Sequence, residues 1–326
     1  MSQRQTVSQT LADVISWRPA LESILKAFEP VLTAQEELTA LLANDSQIAA
    51  FAVAAQGGQP WAVLQTERAR QGIALLVGAS FAGLGAGVRT SAEKLLPILG
   101  ALEAVAPHLK ALRAFFRQPP DGGEDVCEDL VEALVSGDEE CIKELAKGAK
   151  LEPALLHFVA NFVIAPVLRA VTAQLYDAEG QGAWDRGGIW KEGFCPVCGA
   201  LPVIGWLDKN RLDAKNAYLV GGGGKKHLHC GLCGADWKFK RGVCPSCGKE
   251  GNDVMELLRE SGPAHGERLD WCTSCKGYCP VVDLREREGE PQLDALALGM
   301  MHLDMVAAKK KLRPLRPSFW NMFDKG

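Results

Sequence analysis

Four C-x-x-C pairs, Cys195/Cys198, Cys230/Cys233, Cys244/Cys247 and Cys272/Cys275, crowd into the back half of this 326-residue chain. They take eight of its eleven cysteines, the ligand number of two closed tetrahedral thiolate centres. In three of them a glycine follows the second cysteine, at Gly199, Gly234 and Gly248, where a metal knuckle turns through positive φ. Pro196 and Pro245 fix φ inside two of these turns. The fourth pair has Lys276 in the glycine position and Gly277 one residue later, which predicts the least regular knuckle.

The chain between the pairs suggests how they group. After Cys198, LPVIGWL, the polar stretch DKNRLDAKN, then AYLV and KKHLHC read as two short β-rich runs around a turn. After Cys247, VMELLRE, SGPAHG and ERLDWC repeat that plan. Each long insert then forms a hairpin whose two ends hold one ion, with WKFKR as the connecting strand. This groups Cys195, Cys198, Cys230 and Cys233 at one site and Cys244, Cys247, Cys272 and Cys275 at the other. A nested pairing, in which the inner two pairs share an ion, stays open.

Two other uses of the cysteines fit less well. The N-terminal MSQRQTVSQTLADVISWRP has no apolar core with a cleavage site, so the expectation is a cytoplasmic chain rather than a disulfide framework. A redox dithiol needs one exposed pair opening a helix, not four knuckles in series. Four thiolates accept zinc or iron alike. A structural zinc contributes about 10 to 16 kcal/mol in small peptides, comparable with the about 5 to 15 kcal/mol stability of a whole domain. Without metal the back half is expected to lose its fold.

The front half reads as helices. Residues 19–42, 61–81, 92–116 and 154–176 carry apolar side chains at spacings of three and four, with Pro19, Pro60, Pro97, Pro107, Pro153 and Pro166 as start or kink signals. The run IALLVGASFAGLGAGV (73–88) is too short to span a membrane and is bounded by Arg70 and Arg89, so it is expected to be a buried core helix. A glycine-rich stretch, 177–194, has linker composition, with Trp184 and Trp190 packing against a neighbouring domain. Charge divides at the same place. From residue 186 onward there are 22 Lys and Arg against 17 Asp and Glu, and before it 14 against 23. The expected fold class is α+β: an all-α bundle over 1–185, one metal ribbon over 186–240, a second over 241–290, and a C-terminal helix and tail over 291–326.

Catalytic patterns are absent from the sequence. GGGGKK (221–226) lacks the Walker residues at both ends, and there is no H-E-x-x-H, G-x-S-x-G or deaminase motif. Four thiolates also close the coordination sphere that a catalytic metal keeps open, so the chain is not read as an enzyme. His227, His229 and Cys279 lie beside complete knuckles and are read as non-ligands, and Cys127 and Cys141 as buried or incidental thiols. WKFKR with Arg211, Lys215, Lys225 and Lys226 makes a basic, aromatic strip of the kind zinc ribbons use on nucleic acid. However, two divalent four-thiolate centres carry about −2 each, reducing the +5 of the back half to about +1. Protein recognition is the favoured use; a nucleic-acid ribbon and a thiol or iron redox protein are the alternatives.

The order W-x-x-G-x-CPVCG (Trp190 to Gly199) with Pro202, then HLHCGLC, then W-x-x-x-R-x-x-CPSCG (Trp237 to Gly248), then CTSCKGY and LDALALGMMHLD resembles the FdhE family of formate dehydrogenase accessory proteins. One departure is Cys279-Pro280, where the family has a Leu-Lys pair. The resemblance implies two tandem rubredoxin-like ribbons, with iron in place of zinc in some members. It also implies a non-catalytic cytoplasmic factor that binds the catalytic subunit of a molybdenum- or tungsten-containing formate dehydrogenase during maturation.

Overall fold

The computed structural model describes residues 4–55, 67–118, 124–177, 180–209, 224–259 and 264–321. Helices fill the front half: α1 (Val7–Trp17), α2 (Glu22–Leu42), α3 (Ser46–Ala55), α4 (Gly85–Leu99), α5 (Leu109–Phe116), α6 (Val126–Ser136), α7 (Glu139–Gly148) and α8 (Pro153–Ala173). Local chemistry sets several of their ends. Thr6 and Gln9 form a capping box at α1, Asp125 caps α6 through the Cys127 N–H, and Asp138 caps α7 through the Cys141 N–H. Gly137 ends α6 in the left-handed region at φ 71°.

Helix α8 is long and apolar enough to cross a membrane, but 61% of its apolar window is buried in the molecule, as in the central helix of a packed core. Around it α2, α3, α4, α6 and α7 form the larger hydrophobic cluster.

The run 73–88 departs from expectation. Residues 73–84 form turns rather than a helix, with Gly78 at φ 72° and Gly83 at φ 94°, and α4 begins only at Gly85. The backbone N–H groups of Leu75 and Leu76 donate outward, to the carbonyls of Pro196 and Val197, at 2.9 Å each. An apolar run without internal polar competition looks helical by periodicity, yet here it spends its hydrogen bonds on the first knuckle. The stretch 92–116 is likewise two helices: Gly100 follows α4 where a Cβ would stand 2.9 Å from Leu109, and a turn with one 3₁₀ element at Ala106–His108 leads into α5.

The back half builds one sheet from β1 (Ile204–Leu207), β2 (Lys226–His229), β3 (Asp236–Lys238), β4 (Met255–Leu258), β5 (Glu267–Cys272), β6 (Gly277–Asp283) and β7 (Arg313–Pro314). The order is β3-β2-β1-β6-β5-β4. Neighbours are antiparallel except where β1 runs parallel to β6, with Gly205 opposite Val281. That parallel pairing fuses the two hairpin units. β7 also runs parallel to β6, further along the same strand at Gly277 and Tyr278.

After the sheet, α9 (Leu293–Gly299) and α10 (Met301–Lys309) replace the single expected C-terminal helix, with the break at Met300. α9 packs on α1 and α2. A second hydrophobic cluster joins Val7, Leu11, Val14 and Leu25 to Ile204, Leu269, Tyr278, Val282, Leu296 and Leu303. The larger cluster reaches Cys195, Cys198, Cys230, Cys233 and Trp237. Both cores therefore draw on both halves of the chain.

Asp304 on α10 is fully buried and accepts a 2.7 Å hydrogen bond from the Tyr278 hydroxyl. Burial raises its carboxyl to about 7, with Tyr278 opposing the shift. The folded chain then holds a proton that the unfolded chain releases near the ordinary value of 3.8. This contribution to stability is complete below about 4 and is lost as pH rises to about 7, at roughly 1.4 kcal/mol per unit. Asp304→Asn should flatten the decline: urea midpoints of variant and parent should diverge in the variant's favour between pH 5 and pH 8, and a constant difference would refute the assignment.

Candidate metal centres

The sulfurs fall into two groups, Cys195, Cys198, Cys230 and Cys233, and Cys244, Cys247, Cys272 and Cys275, with the sulfurs of each within 4.8 Å of one another. The grouping is sequential along the chain, not nested. In the first, Cys195 and Cys233 stand 3.4 Å apart and Cys198 and Cys230 3.5 Å. In the second, Cys244 and Cys275 are 3.6 Å apart and Cys247 and Cys272 3.8 Å. A tetrahedron with metal–sulfur bonds of about 2.3 Å has edges of about 3.8 Å, so both groups fit one ion each. All eight are unbridged.

Each knuckle makes the same turn. The N–H after the second cysteine donates to the carbonyl of the first: Gly199 to Cys195, Gly234 to Cys230, Gly248 to Cys244 and Lys276 to Cys272, at 2.9 to 3.0 Å. Lys276 adopts φ 61°, beside 78°, 73° and 69° for the three glycines. The fourth knuckle is thus regular in its turn despite lacking glycine. In the first three the leading cysteine N–H donates to the carbonyl of Ala200, Ala235 or Lys249; the fourth is held in addition at the Lys276 carbonyl, which accepts from the Arg313 N–H of β7.

Burial and mutual hydrogen bonding pull the thiols in different directions. Burial raises Cys195 and Cys233, while hydrogen bonds from the surrounding thiols lower Cys230. In the second group burial pushes Cys244 up to about 12. At Cys272 burial acts upward too, but the Cys275 and Ser274 N–H groups and the neighbouring thiols outweigh it and bring it to about 7.

The two groups differ in their surroundings. Every cysteine of the first is at most 1% exposed. The Leu75–Leu76 backbone covers its first knuckle, and Arg169 of α8 donates to the Gly231 carbonyl of its second at 2.7 Å. Trp184 and Trp190, both buried, donate to the carbonyls of Asp236 and Phe194, and Trp237 to that of Glu192. In the second group Cys247 is exposed and Cys275 half-buried.

The remaining candidates lie outside both groups. His227 stacks on Trp206 with ring centroids 4.0 Å apart. His229 is buried between Asp236 at 3.1 Å and Asp294 at 3.4 Å; burial opposes its charge, but the two carboxylates prevail and hold it up to about 10. Cys279 and Cys127 are buried and pushed to about 12 by desolvation, and Cys141 is half-buried. Gly221 to Gly223, Arg211 and Lys215 lie outside the described residues. Of the basic strip, Trp237 is buried, Lys226 is buried against Asp270 at 2.7 Å, Lys240 pairs with Glu250, and Arg241 bonds the Gly224 carbonyl. A buried aromatic offers no stacking face to a base.

The ionic links around these groups were not foreseen from sequence. Arg169 pairs with Asp294 at 2.9 Å, Asp294 with His229, and His229 with Asp236, which ties α8 and α9 to β2 and β3. Glu267, also buried, meets Arg18 at 2.8 Å and Arg287 at 3.3 Å. Partners this distant in sequence leave no local pattern to read.

No family model matches the chain. In sequence it is 26% identical over 121 residues to a protein named FdhE homolog from Aquifex aeolicus, 28% over 113 residues to one from Shewanella baltica, and 29% over 113 residues to one from Haemophilus influenzae. These alignments cover 34 to 37% of this chain and 33 to 39% of each relative, so the chain spans little more than a third of their length. In structure it is similar to the FdhE protein from Pseudomonas aeruginosa, with a TM-score of 0.59 over 98% of this chain and 97% of that one, at 20% identity. Over about a third of its length in sequence, and over nearly all of it in fold, the chain is similar to proteins named FdhE. The structural likeness carries the α+β fold, and the sequence likeness carries the family resemblance.

Arg169 touches the second knuckle of the first four-cysteine group and the Asp294 carboxylate at once. Its removal leaves a knuckle carbonyl and a buried carboxylate without their main donor. Arg169→Ala should lower the unfolding free energy by about 3 to 5 kcal/mol, measured by urea denaturation of metal-loaded protein; a loss under about 1 kcal/mol would place the pair among weak surface contacts.

Proposed function

We propose that this chain is a non-catalytic, metal-binding accessory protein that binds the catalytic subunit of a molybdenum- or tungsten-containing formate dehydrogenase and assists its maturation. The supporting observation is the pair of closed four-cysteine groups, set behind a helical front on a fold aligned almost end to end with an FdhE protein. In this reading Cys195, Cys198, Cys230 and Cys233 hold one ion and Cys244, Cys247, Cys272 and Cys275 the other, each iron or zinc. Four thiolates saturate either metal, leaving no open position for a substrate, and the ions act on shape and charge. The site of action is the cytoplasm.

Recognition of a protein client has structural support. Among the described residues β4 ends the sheet, and Leu257 on it is 58% exposed. An open edge with an apolar side chain beside it suits the addition of a client strand.

Immobilised full-length protein should retain the apo catalytic subunit of a formate dehydrogenase in preference to the mature enzyme, at a strength that changes little between 50 and 200 mM salt. Retention of neither form would remove the client assignment. Steep loss of binding to a nucleic acid over that salt range would instead establish the nucleic-acid alternative.

A further inference from the structure

We propose that the two centres are kinetically unequal: Cys244, Cys247, Cys272 and Cys275 form an exchangeable site for thiophilic divalent cations, and Cys195, Cys198, Cys230 and Cys233 a locked structural one. This rests on the reading that both groups hold metal.

Exchange at a closed four-thiolate centre is a ligand substitution. An incoming soft donor gives an electron pair to the ion, one cysteine thiolate leaves and takes a proton from water, and the metal keeps its oxidation state. The rate depends on reach from solvent and on what must move to free the departing cysteine.

At the second centre both conditions are met on one side. Cys247 is exposed, every residue from Ser246 to Asp253 is exposed, and Cys275 is half-buried between exposed Ser274 and Lys276. Cys244 and Cys272 are buried and anchored. Cys272 ends β5, and Pro245 sits so tightly against Gly193 that a Cβ there would meet Pro245 backbone 2.1 Å away. Swinging Cys247 out displaces a surface turn and leaves the buried edge in place.

The first centre offers no such side. All four cysteines are buried in the larger core, under the Leu75–Leu76 backbone and the Arg169 guanidinium. Freeing any one of them breaks the contacts of a knuckle with the helical half and opens core to water, an event near the global unfolding free energy.

The test uses full-length protein loaded with two equivalents of zinc and mixed with excess 4-(2-pyridylazo)resorcinol, with released ion followed by absorbance and fold by circular dichroism. One equivalent should leave roughly 100-fold faster than the other, with the helical ellipticity of the front half unchanged in the fast phase, because only the slow ion needs core opening. Cys247→Ser should remove or accelerate the fast equivalent and leave the slow phase as it was. In unmodified protein, cadmium-113 replacing zinc should give one thiolate-range resonance well before a second. Two ions leaving in a single phase, or a fast phase untouched by Cys247→Ser, overturns the inequality while leaving the metal reading intact. Protein that takes up no ion under reducing conditions overturns the metal reading and the inequality with it.

Discussion

Mutual repulsion among clustered sulfurs is the constraint on which the back half depends. As thiolates within 4.8 Å of one another, each pair would repel by roughly 3 to 5 kcal/mol at an effective dielectric of about 20, and each group holds six pairs. Protonation relieves this cost, and a cation at the centre would turn it into cohesion. Short strands of two to seven residues then suffice for the sheet, because the knuckles fix where each hairpin starts and returns.

The same constraint explains how the halves are joined. A knuckle leaves backbone groups pointing outward, and the helical half supplies their partners: Leu75 and Leu76 donate to the first knuckle and Arg169 to the second. Charged groups can be buried there since they come in linked sets, from Arg169 through Asp294 and His229 to Asp236. Such sets add little net stability over apolar packing, but they penalise any other placement of the helices. The parallel contact of β1 with β6 extends this coupling to the second centre.

Much of the candidate site was legible because its information is local. C-x-x-C spacing, the following glycine and the intervening hairpins are all written within a few residues, and the grouping of Cys195 with Cys233 and of Cys244 with Cys275 comes from them. Helix α8 was legible for the same reason, in its sustained apolar periodicity. What was not legible depends on distant partners. β6 was missed although all seven of its residues are buried, since Pro280 interrupts the strand signal and its neighbours β5 and β1 are what hold it. The run 73–84 looked helical because nothing nearby reveals the carbonyls of Pro196 and Val197 that claim its N–H groups. His229 looked like a strand residue of no consequence, and its two carboxylates lie 7 and 65 positions away in the chain.

The donor set of the two centres underlies every functional statement made for this chain. X-ray absorption on freshly purified, anaerobic protein, together with elemental analysis, measures that set directly. Two ions per chain, each with four sulfur neighbours at about 2.3 Å, is the predicted result. Fewer than four sulfurs per ion, oxygen or nitrogen in their place, or a metal-free chain whose back half stays ordered would contradict it.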